Sequence, residues 1–215
     1  MRKTIIMALP LSALLLASCG PKKLALPEDP IDRAATCAVV SAATARNAAT
    51  ELKEGLDFGP QTRIIHHAML AGTDDKGFSA KRASAVISRM SELQEKVTEG
   101  EWQPLATPCD KAFPEVKKTS GIELPAAKFD AQLGCYALGD FLTRSVTTLD
   151  PKGQEVLATY AALHRKLDGP IGAGMRAKGA TKVEQTQVLK NAALGKMTRL
   201  GAPVEVMKMC TGRFA

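Results

Sequence analysis

Five cysteines and three histidines are the side chains in this 215-residue chain best suited to covalent or metal chemistry. The cysteines are Cys19, Cys37, Cys109, Cys135 and Cys210. None lies in a CxxC or CxxCH spacing, the patterns expected of a zinc site or an attached haem. His66, His67 and His164 form no HExxH, and they read as helix residues that pack against neighbours or face solvent. Nucleophilic catalysis needs a serine or thiol beside a base and a group that orients the base, and neither GxSxG nor SxxK is present. The run from Gly169 to Met175 superficially suggests GxGxxG, but it follows a helical stretch rather than a strand. It reads better as a flexible connector than as a phosphate cradle. The expectations are therefore no catalytic residue, no metal, no cofactor and no enzymatic activity.

The first nineteen residues carry an address. Met1-Arg2-Lys3 is a positive start, and Ile5 to Ala17 is apolar apart from Pro10 and Ser12. That stretch is shorter than the roughly 20 apolar residues a membrane-spanning helix needs. With small residues at its end, it has the layout of an export signal. Leu16-Ala17-Ser18-Cys19 resembles the lipobox of bacterial lipoproteins. The resemblance implies cleavage before Cys19 by signal peptidase II, so that residues 1–18 are removed. It also implies a thioether-linked diacylglycerol on Cys19, with an N-acyl chain as is usual in Gram-negative species. Two or three acyl chains hold a protein stably on a membrane where one does not. Gly20, rather than Asp, after the cysteine implies the outer membrane before the inner by the family's sorting rule. Residues 19–33 then read as a lipidated, Pro-rich tether, with Pro21, Pro27 and Pro30 keeping it extended over up to roughly 40 Å.

Four cysteines remain for the body, an even number that suggests two disulfides in an exported chain. Cys37 and Cys109 are 72 residues apart, and Cys135 and Cys210 are 75 apart. The similar spacings point to an internal repeat. At an offset of 98, Cys37 falls on Cys135, Arg46 on Arg144, Thr50 on Thr148 and His66 on His164. After a three-residue insertion the offset becomes 101, and Lys81 falls on Lys182, Leu93 on Leu194, Cys109 on Cys210 and Phe113 on Phe214. A tandem duplication would favour a symmetric pairing. Cys37–Cys109 with Cys135–Cys210 closes each repeat on itself and is the simplest. Cys37–Cys135 with Cys109–Cys210 is also symmetric, and spacing alone does not choose between them.

The elements around these residues read as helices. The chain is 45% apolar, enough for a packed core, but only 4% aromatic, which disfavours an all-β sandwich or barrel. Helices are expected at about 34–53, 59–70, 79–98, 126–147, 150–168, 181–200 and 203–210. The signals are Ser79 as an N-cap, Asp150-Pro151 as a cap followed by Pro, and Thr181 with Glu184 as a capping box. No strand is expected. The fold class is all-α: two tandem helical repeats of three to four helices, 34–113 and 126–215, joined by a connector at 114–125. They would pack as one or two disulfide-stapled antiparallel bundles.

Charge is the remaining asymmetry. Residues 161–215 carry ten basic and three acidic side chains. Lys182, Lys190, Lys196 and Arg199 are a possible anion-binding face on one helix, for anionic envelope components or another envelope protein. Nucleic acid is not an expected partner of an exported chain. The expected function is a membrane-anchored envelope lipoprotein whose helical body is a non-enzymatic binding or scaffolding module. The alternative is a periplasmic module that binds a small ligand or haem, or acts in redox, between its helices.

Overall fold

The computed structural model describes residues 24–49 and 55–215. The lipobox and Cys19 lie outside the described residues. The described chain is mostly helical: α1 (Pro30–Ala48), α2 (Phe58–Ala71), α3 (Ala80–Thr98), α4 (Ala106–Ala112), α5 (Lys128–Ser145), α6 (Pro151–Ala177), α7 (Val183–Thr198) and α8 (Pro203–Phe214). Single 3₁₀ turns at Gln103–Leu105 and Pro114–Lys117 flank α4. No described helix is long and apolar enough to cross a membrane.

Side-chain caps account for the starts of α1, α3 and α6. Asp29 accepts from the amides of Ile31 and Asp32, both at 2.9 Å, and Pro30 takes the first helical position where no donor is needed. Asp150 does the same for α6, accepting from Lys152 N at 3.1 Å and Gly153 N at 3.0 Å before Pro151. Ser79 caps α3 through Arg82 N. The expected tether is thus shortened, because Pro30 opens a helix instead of preventing one. Arg33 also holds the preceding segment, donating to Pro27 O at 2.9 Å and Glu28 O at 2.7 Å. Leu24 and Leu26 pack on the body.

Three further expectations are corrected. Gly169 to Gly179 is not a loose connector, for α6 runs on to Ala177 through Pro170. Its buried stripe of Tyr160, Leu163, Leu167, Ile171 and Met175, spaced by three and four, crosses the proline without a break. Pro170 is exposed, so its ring faces solvent. At Gly174 a Cβ would meet the Phe129 ring of α5 at 2.1 Å, so the glycine lets the two helices close up. The capping box of α7 is displaced by one residue: Gln185, not Glu184, reaches back, accepting from Lys182 N and Thr181 N at 3.1 Å. Strands do occur. Thr73–Asp74 (β1) and Gly77–Phe78 (β2) form an antiparallel hairpin, with Thr73 opposite Phe78 and Asp74 opposite Gly77.

That hairpin docks on α7. Gly77 has φ +112°, and a Cβ there would lie 2.8 Å from the backbone of Asn191 and Ala192. Gly195, one turn along α7, faces Gly77 across a similarly close approach. Gly77→Ala therefore meets a left-handed backbone and a main-chain clash together, and is expected to lower stability by more than about 2 kcal/mol. Urea unfolding of the variant checks this; an unchanged midpoint would refute the docking geometry.

Both disulfides are present: Cys37–Cys109 joins α1 to α4, and Cys135–Cys210 joins α5 to α8, with Cα–Cα distances of 5.3 and 5.6 Å. One buried cluster draws on both halves, including Met69 and Val86 with Leu138, Leu142, Leu167 and Met207. A smaller cluster surrounds the Cys37–Cys109 bridge. Arg89 on α3 ties to Asp32 on α1 at 2.6 Å.

Candidate functional site

Beside the Cys37–Cys109 bridge, the second half of α1, the loop at 55–57, α2 and α4 border an open cavity of about 440 Å³. This lies in the size range of small-molecule sites. The helix bridged by Cys37 presents Val40, Ser41 and Thr44 to it, and α4 presents Ala106 and Cys109. On its floor Ser41 Oγ and His67 Nε2 are hydrogen-bonded at 2.9 Å. His67 is buried, with its ring edge-on to Phe113 at 5.1 Å between centroids. Burial, with His66 adjacent, pushes its pKa down to about 3, so the ring is neutral at ordinary pH.

Ser41 and His67 have the distance of a nucleophile and its base, but not the rest of that constellation. His67 Nδ1 has no hydrogen-bond partner among the described residues, so no carboxylate orients the ring. The arrangement positions a hydroxyl on the cavity floor, held by His67 Nε2. Around the mouth stand Asp57, Arg63 and the Asp110–Lys117 pair, the last at 2.7 Å.

His66 faces away from the cavity, into the contact between the halves. It is fully buried, and its Nε2–H donates to Thr198 O on α7 at 2.8 Å. Burial lowers its pKa to about 4 against that hydrogen bond. His164, its match in the sequence alignment, is half-buried and stacks on Tyr136 at 3.8 Å between centroids. Tyr136 in turn donates to Asp168 at 2.8 Å, and its pKa is pushed up to about 12 by burial and that carboxylate. The two histidines 98 residues apart differ in burial and in partners.

The proposed basic residues do not converge. At about 100° per residue, Lys182, Lys190, Lys196 and Arg199 spread over roughly half of α7's circumference. Lys190 lies over the Tyr136 ring at 4.9 Å, and Arg199 reaches Thr73 O at 3.5 Å. Lys182 and Lys196 are exposed. Among the described residues no three His, Cys, Asp or Glu side chains are grouped to hold a metal.

Sequence reasoning missed the Ser41–His67 pair. Its members are 26 residues apart on two helices, and a lone Ser in the second half of a helix carries no motif. The one available signal was that His67 and Ser41 both lie on the inward faces of their helices. Comparison with protein-family models, with curated proteins and with solved structures returned no match.

Proposed function

We propose that the chain is a lipid-anchored protein of the bacterial envelope whose helical body binds a small ligand without catalysis. Acylation at Cys19 would hold it at a membrane, the outer membrane before the inner, with the body in the periplasm. The observation that carries the binding reading is the cavity of about 440 Å³ over Ser41 and His67. A recess that sets apolar side chains such as Val40 and Ala106 beside the Ser41–His67 pair suits a bound molecule better than a flat scaffolding surface does. The export reading is supported by the lipobox and by two buried disulfides, which persist in oxidising compartments.

The body is further proposed to be a tandem duplication. In support, α1 and α5 begin 98 residues apart, the offset that superposes Cys37 on Cys135. At the 101 offset, α3 falls on α7 and α4 on α8, each to within a few residues at both ends. In each half the bridge runs from the first helix to the last. Asp32 and Arg89, which pair in the first half, correspond to Asp130 and Lys190 in the second.

Expression in a Gram-negative host with labelled palmitate tests the anchor. Label is expected on the wild-type chain and none on Cys19→Ser. Equal labelling of both chains, or four free sulfhydryls by intact mass, would remove the basis for the envelope reading.

A further inference from the structure

The second half shows what fills the space that is open in the first. At the two offsets, Ser41, Thr44, Ala48 and Ala106 of the cavity wall correspond to Gly139, Leu142, Val146 and Met207. Leu142, Val146 and Met207 are buried. A Cβ built on Gly139 would lie 3.2 Å from Met207 Cε and 3.9 Å from Tyr160 Cβ, so Met207 lies directly on the α5 surface that corresponds to the one Ser41 presents on α1. Three of the four positions carry a larger aliphatic side chain in the second half. In the first half Thr44 and Ala48 are exposed instead and border the open cleft beside the Cys37–Cys109 bridge.

The mouth carries charges of both signs. Asp110 is neutralised by Lys117 at 2.7 Å. Asp57 stands at the N-cap position of α2 and makes no side-chain capping hydrogen bond. Arg63, on the exposed side of α2, makes no hydrogen bond or ion pair among the described residues and lines the same opening. A guanidinium there matches a carboxylate in two parallel hydrogen bonds. Ser41 is already bonded to His67, so a hydrocarbon passing over it leaves no polar atom newly unsatisfied.

We infer that the cavity takes a single-chain carboxylic acid, its hydrocarbon lying where Met207, Leu142 and Val146 lie in the other half and its carboxylate at Arg63. This rests on the reading of the cavity as the binding site. Full-length protein released from a non-ionic detergent is examined by native mass spectrometry with dodecanoate, dodecan-1-ol or dodecyltrimethylammonium. One dodecanoate per chain is expected. Ala106→Met, which rebuilds the second half's filling, should lower its occupancy by about tenfold or more while the melting temperature holds or rises. Should that variant fold poorly, Ala48→Val applies the same block from α1. Arg63→Gln should cost the acid, but not the alcohol, about tenfold. Equal binding of the alcohol or the ammonium, lost on Ala106→Met, would overturn the carboxylate while leaving the cavity as the site. No binding of any probe, or binding indifferent to Ala106→Met and Ala48→Val, would overturn both.

Discussion

Replacing Cys135 and Cys210 together by alanine is expected to lower the unfolding free energy by about 4 kcal/mol. The bridge closes a loop of 75 residues, and the chain-entropy model assigns about that much to the freedom it removes from the unfolded chain. Its native setting adds to the effect. Both cysteines are buried in the cluster that draws on both halves, so the variant also leaves unfilled space there. A domain's total stability is commonly only about 5–15 kcal/mol, so this single loss takes a large share of it. Urea unfolding of wild type and variant at neutral pH measures the difference directly. Reduction of the wild type should carry its midpoint below that of the variant, because the Cys37–Cys109 bridge opens as well. A difference under about 1 kcal/mol would show that the bridge does not constrain the chain as described. The first bridge closes 72 residues and should be worth nearly as much by the same reasoning, but its loss should also deform the cavity that Cys109 lines.

Acidification from pH 6.5 to pH 4 should destabilise the protein by about 3 kcal/mol through His66 alone. The folded ring has a pKa of about 4, held down by burial, whereas the unfolded chain's histidine titrates near its ordinary 6.5. Within that window the unfolded chain takes up a proton that the folded chain refuses. Stability therefore falls as pH falls, and the fall levels off below pH 4, where both states are protonated. His67, lowered to about 3, adds to the same slope. Asp32 and Asp74 act elsewhere. Arginine partners hold both below 3.8, so their contribution is lost only at still lower pH. His66→Gln retains a side-chain N–H for Thr198 O but does not titrate. Unfolding free energies measured from pH 7.5 to pH 4 should decline less steeply for His66→Gln than for wild type. Parallel curves would refute the buried neutral His66. Because the His66–Thr198 bond links α2 to α7, the acid effect should be felt first where the two halves meet.

Signals that act over a few residues were legible before any fold was known. Asp150-Pro151 and Ser79 start helices in the structure because a side-chain acceptor and a fixed φ satisfy the first turn wherever the rest of the chain goes. The stripe of Val86, Met90, Leu93 and Val97 put one face of α3 against the core for the same local reason. Cysteine spacing made the pairing that closes each half on itself the simplest, without choosing among the three connectivities. The leader and its cysteine were read from the first nineteen residues, which the structure does not describe.

What tertiary structure decided lies between distant segments. It chose Cys37–Cys109 and Cys135–Cys210, since only packing brings the first and last helices of each half within bridging distance. It carried α6 through Gly169 and Pro170, whose local preference for breaking a helix, roughly 1–3 kcal/mol each, lost to a continuous buried stripe. It seated a two-residue hairpin on α7, too short to show any alternation in sequence. Finally, it opened a cavity where one half carries Ala106 and Ser41 while the other carries Met207 and Gly139. Local propensities set where helices begin, because their energies depend on neighbours along the chain. Voids, bridges and buried hydrogen bonds depend on which surfaces meet, and that is settled only when the whole chain has packed.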